Sequence, residues 1–172
     1  MINPAEDIVN LWLQECRDHF TMTNVVIKKK PRIIKGKKIY GGRGKEVDIV
    51  STDGNRFFWV EVGVSARPYS PLKAVKLDSC VSDAERKFVE EKEIGLKERF
   101  KNRDFEKWYV YSPKFFSKST DEERLYRSRL EQLGIKAISF KTVLSEFREK
   151  LNYMGYDATR NYLFLLKEFQ YF

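Results

Sequence analysis

Two carboxylates, Asp48 and Glu61, are the side chains whose types and spacing best suit chemistry. Each lies in a short run of alternating apolar residues, EVDIV around Asp48 and WVEVG around Glu61. Gly54 and Asn55 lie between the runs and predict a hairpin with a two-residue loop, which places Asp48 directly opposite Glu61. Like charges in that position destabilise a hairpin, and a bound cation would reverse the effect. The spacing therefore predicts a metal site with oxygen ligands.

The two predicted strands assign each acid to a face of the sheet. In the first strand, from Lys45 to Val50, alternation places Val47 and Ile49 on one face and Asp48 on the other. In the second strand, from Arg56 to Val64, one face carries only apolar side chains. These are Phe58, Val60, Val62 and Val64, whereas Phe57, Trp59, Glu61 and Gly63 share the other face.

A register slipped by one residue is the alternative. It would place the two acids on opposite faces of the hairpin, where each would be solvated. The neighbours of Glu61 favour the first arrangement, because Phe57 and Trp59 share its face and cover it at least in part. A carboxylate beside two aromatic rings needs a partner, since burying an unpaired charge costs free energy.

A basic arm precedes the hairpin. Nine basic residues and one acid lie between Lys28 and Glu46, within a chain of net charge +8. Pro31, Gly36 and a glycine cluster interrupt the run, which predicts a loop-rich strand or a flexible hairpin. Such an arm attracts a polyanion, with DNA expected and RNA as the alternative, although a merely solvated loop has the same composition. The predicted nucleic-acid-binding residues are Lys28, Lys29, Lys30, Arg32, Lys35, Lys37, Lys38, Arg43, Lys45 and Arg67.

Composition limits the classes of protein. The chain has 172 residues, of which 42% are hydrophobic and 15% aromatic, enough for one folded domain. No apolar run is long enough to span a bilayer, and the N-terminal segment is acidic, so we expect a cytoplasmic protein without a membrane partner. A single histidine, His19, excludes a multi-histidine metal site and is expected at the surface of a helix end. Cys16 and Cys80 are expected on apolar helix faces as core residues.

The remaining periodicities predict a mixed α/β single domain with a central sheet flanked by helices. A basic arm occupies residues 28–46 and a C-terminal helical extension occupies residues 141–172. Capping and turn residues place most of the element ends. The predicted elements before the middle of the chain are a helix from Pro4 with the stripe Val9, Trp12, Leu13, Cys16 and Phe20, a strand from Asn24 to Ile27, and the hairpin. A helix from Pro71 (N-cap Ser70) to about Glu91 and a strand from Lys107 to Ser112 follow. The last predicted elements are a helix from Ser119 (with Glu122) to Leu133, closed by Gly134, a strand from Lys136 to Phe140, and helices from Thr142 to Leu151 and from Ala158 to Phe172.

This order of elements, with an acid on each strand of the hairpin, resembles the PD-(D/E)XK nuclease superfamily. The likeness is to small archaeal Holliday-junction resolvases and restriction-endonuclease-like proteins, and it covers Ala5 to about Ser112. The family carries a glutamate in its first helix, an aspartate on the second strand and Glu-x-Lys on the third. The resemblance implies that Glu6, with Glu15 as a second candidate, Asp48 and Glu61 fill these places.

One position departs from that pattern, because Gly63 occupies the place of the Glu-x-Lys lysine. The resemblance implies that Lys73 or Lys76, at the start of the predicted second helix, or Arg67 supplies the missing cation. If all three instead point away from the site into solvent, a silent DNA-binding protein is favoured, and Gly63→Lys is then expected to restore or raise cleavage. The implied cofactor is Mg²⁺ (or Mn²⁺), held by Asp48, Glu61, the carbonyl of Val62 and Glu6.

These features predict a DNA-binding, metal-dependent endonuclease that hydrolyses phosphodiester bonds. A catalytically silent DNA-binding relative is the first alternative, and an assembly or scaffold protein using the aromatic C-terminal helix is the second. That helix, within Tyr162 to Phe172, is apolar on two sides. We therefore expect one side to pack on its own domain and the other on a second copy in a homodimer, unless the preceding helix covers it.

Overall fold

A mixed β-sheet between two layers of helices forms the described part of the chain. The computed structural model describes residues 4–27, 32–34, 37–39, 45–64, 81–116 and 120–151. Within these residues the helices are α1 (Pro4–Arg17), α2 (Asp83–Arg99), α3 (Thr120–Gln132) and α4 (Phe140–Leu151), with a short 3₁₀ turn at Pro113–Phe116. The strands are β1 (Phe20–Ile27), β2 (Arg32–Ile34), β3 (Lys37–Ile39), β4 (Lys45–Thr52), β5 (Phe57–Gly63), β6 (Phe105–Tyr111) and β7 (Ile135–Ser139).

The main sheet has the strand order β1-β4-β5-β6-β7. Neighbours β1, β4 and β5 pair antiparallel, whereas β5, β6 and β7 pair parallel. A parallel pair needs a crossover, and α2 and α3 provide the two crossovers. Strands β2 and β3 form a separate antiparallel ladder within the basic arm. The predicted α/β class with a mixed central sheet is confirmed.

Two apolar clusters, one on each face of the sheet, explain the layers. Helices α1 and α4 pack over one face through Val9, Trp12, Leu13, Val143 and Phe147. Helices α2 and α3 pack over the other face, where their apolar residues meet Trp59 and aromatic residues of β6. The apolar face of β5 belongs wholly to the α1–α4 side, as its alternation predicts. Its members are Phe58, Val60, Val62 and Val64.

The hairpin register is as predicted, although its loop is longer. Ile49 pairs with Val60 and Thr52 pairs with Phe57, which leaves residues 53–56 as the loop. The Asp53 carboxylate closes that loop, because its Oδ1 accepts the N–H of Arg56 at 2.7 Å. Gly54 adopts a φ of 92°, a conformation that glycine favours.

The face assignment predicted for β4 is wrong in part. Val47 packs on the α2–α3 side and Ile49 on the α1–α4 side, although strict alternation would place them together. The β1–β4 ladder is interrupted between these residues, where Asn24 adopts a φ of 53° beside Asp48. The alternation of β4 thus breaks at Asp48, the position where its ladder with β1 is interrupted.

Three predicted boundaries are also corrected. Phe20, expected in the stripe of the first helix, begins β1 and is 78% exposed. Phe140, expected in a strand, begins α4. Helix α2 begins at Asp83, where Ser82 and Glu85 form a capping box, and it continues to Arg99, beyond the expected end at Glu91.

Several predictions lie outside the described residues. They concern Cys80, the start of a helix at Ser70 and Pro71, the cap at Ser119, and the C-terminal helix from Ala158 to Phe172. Cys16 is half-buried against the α1–α4 cluster, as expected of a core residue. Among the described residues, no helix combines the length and the apolar composition needed to cross a bilayer.

His19 is buried, which corrects its expected surface position. Its ring stacks on Phe58 with centroids 4.6 Å apart, and its Nδ1 lies 3.1 Å from Oγ of Ser51. Burial lowers the pKa of His19, with the Asp53 carboxylate opposing that effect and the nearby arginines adding to it. A neutral imidazole therefore belongs to the folded state.

We predict that this histidine makes stability depend on pH. Because the folded state has the lower pKa, its contribution is present above the ordinary pKa of 6.5 and is lost as pH falls below it. His19→Gln keeps a hydrogen-bonding side chain for Ser51 and cannot titrate. Urea unfolding of both proteins between about pH 7 and about pH 5 should show a steeper decline for the wild type. Parallel declines would contradict the prediction.

Candidate active site

Asp48 and Glu61 meet where β4 and β5 separate. Regular pairing of the two strands ends at Ile49 and Val60. Beyond it, the Asp48 carboxylate takes the place of a strand carbonyl, because its Oδ2 accepts the N–H of Val62 at 2.7 Å. The side chains of Asp48 and Glu61 are close enough to share a hydrogen bond. The two acids therefore lie on the same side of the hairpin, as the sequence predicts.

Lys92 of helix α2 is the third charged member of this site. Its Nζ lies 2.6 Å from Oε1 of Glu61, and Trp59 donates its indole N–H to the same oxygen at 2.6 Å. The Lys92 side chain is 8% exposed and that of Glu61 is 22% exposed. An ammonium group thus supplies the positive charge that the adjacent carboxylates require.

The pKa values of both carboxyls reflect this crowding. Burial raises the pKa of Glu61 to about 7, with Lys92 lowering it and the Asp48 charge adding to the rise. Burial also raises the pKa of Asp48, and the N–H of Val62 opposes that shift. The two groups titrate as a pair, so binding of a cation at the site would release protons near neutral pH.

Helix α2 is held in place by a second buried ion pair. Nη2 of Arg129, on α3, lies 3.0 Å from both carboxylate oxygens of Glu85. Glu85 also accepts the backbone N–H and the hydroxyl of Ser82, each at 2.8 Å. This one carboxylate therefore caps α2 and joins it to α3, which fixes the helix that delivers Lys92.

Sequence reasoning missed Lys92, although two signals point to it. The sequence Ser82-Asp83-Ala84-Glu85 is a capping box that places the start of the helix. The buried residues that follow are spaced as one helix face, on which a lysine lies between two apolar residues. They are Glu85, Val89, Lys92 and Leu96. A lysine on such a stripe needs a buried partner, here Glu61.

The candidates expected to replace the missing lysine, Lys73, Lys76 and Arg67, lie outside the described residues. Gly63 itself is explained by Tyr109 of β6. A Cβ added at Gly63 would lie 1.8 Å from Oη and 2.5 Å from Cζ of that buried tyrosine. The ring of Tyr109 also packs edge-on against the ring of Tyr126, with centroids 6.3 Å apart. A lysine at this position would meet a ring, so the expectation that Gly63→Lys restores cleavage has a steric objection.

Gly63→Ala is therefore predicted to destabilise the fold by about 1–3 kcal/mol, since it overfills a packed site. Combining it with Tyr109→Phe should recover part of the loss, because the nearest atom is the hydroxyl oxygen. Thermal or urea unfolding of the two single variants and the double variant measures the free energy lost in each. Costs that simply add would contradict the proposed clash.

The described part of the chain contains no group of three or more His, Cys, Asp or Glu side chains placed to hold a metal ion. Glu6 is half-buried in the first turn of α1, and that helix packs on the opposite face of the sheet. Asp48 and Glu61 nevertheless fit Mg²⁺ as a carboxylate pair, because Mg²⁺ is usually bound by one or two carboxylates and completed by water. The carbonyl of Val62, the expected backbone ligand, belongs to the same residue whose N–H donates to Asp48.

Lys45 is the predicted arm residue whose side chain the structure describes. Its Nζ lies 2.5 Å from Oε2 of Glu91 and 4.2 Å from the ring centroid of Phe88. Its charge is therefore used within the fold. Arg32, Lys37 and Lys38 are described only as parts of β2 and β3. The other members of the arm, Lys28, Lys29, Lys30, Lys35 and Arg43, lie outside the described residues.

Comparisons with known proteins add little to this geometry. No known protein family and no curated protein matches the chain. A solved crystal structure described as a protein of unknown function, AF1548, has a TM-score of 0.48 and 13% sequence identity. The similarity covers 91% of this chain and 73% of that one. The description carries no activity, so the functional argument depends on the site itself.

We predict that Glu61 titrates near pH 7 in the metal-free protein. The indole N–H of Trp59 donates to this carboxylate, so its ¹H–¹⁵N resonance should follow the titration. Lys92→Met should raise the pKa of Glu61 because it removes the neighbouring positive charge. Asp48→Asn should lower it because it removes the neighbouring negative charge. An indole resonance that is constant from about pH 5 to about pH 9 would contradict the assignment.

Proposed function

We propose that this protein is a metal-dependent endonuclease of the PD-(D/E)XK type that binds DNA and hydrolyses phosphodiester bonds. One observation carries the proposal. Two adjacent carboxylates on the paired strands β4 and β5 meet a buried lysine from α2, and the hairpin register brings them together. The ammonium of Lys92 lies beside Glu61, so it supplies the charge that Gly63 cannot.

Each member of the site has a distinct task in this proposal. Asp48 and Glu61 hold Mg²⁺ or Mn²⁺, which when bound would supply Lewis-acid charge and an activated water for attack on phosphorus. Lys92 neutralises charge that develops on the phosphate, and its remaining N–H donors orient the reacting groups. Val62 fixes the Asp48 carboxylate through its N–H, which keeps that acid on the side of Glu61.

The ion pair of Glu61 with Lys92 determines how the cation would enter. Oε1 of Glu61 already accepts two hydrogen bonds, from Lys92 and Trp59. A divalent ion must therefore use the other carboxylate oxygen or displace the lysine toward the phosphate. By either route, the affinity of the site for the divalent ion would rise as pH increases through about 7, where Glu61 ionises.

The basic arm supports a polyanionic substrate. Its lysines would contact phosphate oxygens, which position a duplex without reading its sequence. Strands β2 and β3 give part of the arm a hairpin structure. We infer that DNA binding depends on the arm and that cleavage depends on Asp48, Glu61 and Lys92.

A catalytically silent DNA-binding protein is the second candidate, and one observation favours it. Lys92 already balances one negative charge of the carboxylate pair, so part of the repulsion between the acids is relieved without a divalent ion. In that case the three side chains would be a structural network that remains after cleavage was lost. Cleavage assays with metal ions distinguish the two candidates.

The test uses the full chain with supercoiled plasmid and Mg²⁺ or Mn²⁺. We expect nicking that EDTA abolishes and that Asp48→Asn reduces more than about 100-fold, because the metal loses a ligand. Lys92→Met should lower kcat while leaving the Kd for DNA nearly unchanged. Lys97→Met is the matched control, since Lys97 lies on the same helix and pairs with Glu93 and Asp104 away from the site.

The outcomes separate the candidates. Cleavage that survives Asp48→Asn would identify a contaminating nuclease or another site and would contradict the proposal. A wild-type protein that binds DNA and never cuts it, under any of these ions, is the silent binder. A protein that neither binds nor cuts excludes both candidates.

A further inference from the structure

Two lysine ammonium groups lie over the ring of Phe88 on helix α2. The Nζ of Lys45 is 4.2 Å from its ring centroid, and the Nζ of Lys92 is 5.3 Å from it. Both distances are within the range of about 6 Å over which a ring attracts a cation. The ring is half-buried, so part of this attraction acts away from bulk water. Phe88 is absent from the sequence-based list of site residues.

The Lys92 ammonium has a defined set of neighbours. It contacts Glu61, lies 5.3 Å from the Phe88 centroid and lies 5.7 Å from the Trp59 centroid. Glu61 attracts the charge strongly, but one contact does not fix the direction of a flexible four-carbon side chain. Two aromatic rings beside the ammonium restrict its path to Glu61.

The second lysine at the Phe88 ring, Lys45, connects this residue to β4. Lys45 begins β4, the strand that carries Asp48, and its ammonium binds Glu91 on α2. Phe88, Glu91 and Lys92 occupy neighbouring positions on one helix. The contacts of Lys45 therefore join the strand that supplies Asp48 to the helix turn that supplies Lys92.

We propose that Phe88 is a positioning residue that directs the Lys92 ammonium onto Glu61 and keeps α2 in register with β4. The position of Lys92 follows from contacts in the free protein. The consequence for cleavage depends on the proposed nuclease function. The experiment therefore includes one readout in the free protein and one readout of DNA cleavage.

The alternative is that Phe88 only fills space, and the choice of substitutions tests it. Phe88→Leu and Phe88→Met keep an apolar side chain and remove the ring, whereas Phe88→Tyr keeps the ring. Ile94→Leu is the control, since Ile94 lies on the same helix and is 54% exposed. If Phe88 only fills space, the Leu and Met variants should behave like the wild type. If Phe88 positions Lys92, only the Tyr variant should do so.

The first readout is the Trp59 indole N–H resonance at fixed pH, because this group donates to the oxygen of Glu61 that Lys92 also contacts. We expect Phe88→Leu and Phe88→Met to shift it and Phe88→Tyr to leave it near the wild-type position. In a Lys92→Met background, Phe88→Leu should shift it no further. The second readout is plasmid nicking, where the ringless variants should lose about fivefold in kcat with KM nearly unchanged.

Folding is checked by the remaining amide resonances, and having two ringless variants guards against one that does not fold. An unchanged indole resonance in a folded ringless variant would overturn the positioning role. An indole shift that persists undiminished in the Lys92→Met background would also overturn it. If the indole behaves as expected but the wild type cuts no DNA under any metal, the nuclease proposal fails and the positioning role of Phe88 stands.

Discussion

The balance of charge among Asp48, Glu61 and Lys92 is the constraint on which the rest of this structure depends. Two carboxylates on neighbouring strands repel each other, and partial burial makes the repulsion costly. The structure offsets this cost with an ammonium from α2 and with the N–H donors of Trp59 and Val62. The folded chain therefore supplies one positive charge to the two acids itself, through Lys92, and the bound metal ion stays a prediction.

This constraint explains features that otherwise look unrelated. Asp48 can reach Val62 because the ladder between β4 and β5 ends at Ile49 and Val60. Helix α2 has to present Lys92 at one height above β5, and the buried pair of Glu85 with Arg129 anchors the start of that helix. Gly63 leaves room for the Tyr109 ring, so the lysine of the family pattern has no space there. The positive charge beside Glu61 comes from helix α2 instead.

Local patterns predicted much of this arrangement. The alternation of β5 predicted the face of Glu61, and the turn residues predicted the register that brings it to Asp48. The same reasoning failed where a residue's conformation depends on distant partners. Asn24 adopts a left-handed φ beside the residue where the alternation of β4 breaks, His19 is buried by Phe58 and Ser51, and Lys92 acquires its role from Glu61 on a distant strand. A single sequence does not show such contacts directly, although the capping box at Ser82 and the spacing of Val89, Lys92 and Leu96 place Lys92 on a buried helix face.

A double-mutant cycle between Glu61 and Lys92 tests the central claim most directly. The free energy of unfolding would be measured for the wild type, Glu61→Gln, Lys92→Met and the double variant at about pH 8, above the pKa of about 7 for Glu61. Lys92→Met leaves two adjacent carboxylates without their counter-charge and should cost about 3–5 kcal/mol, whereas Glu61→Gln should cost less because Asp48 stays near Lys92. We expect the double variant to cost less than the sum of the two by about 2 kcal/mol. Single costs that add fully would show that Lys92 is not the counter-charge of the carboxylate pair.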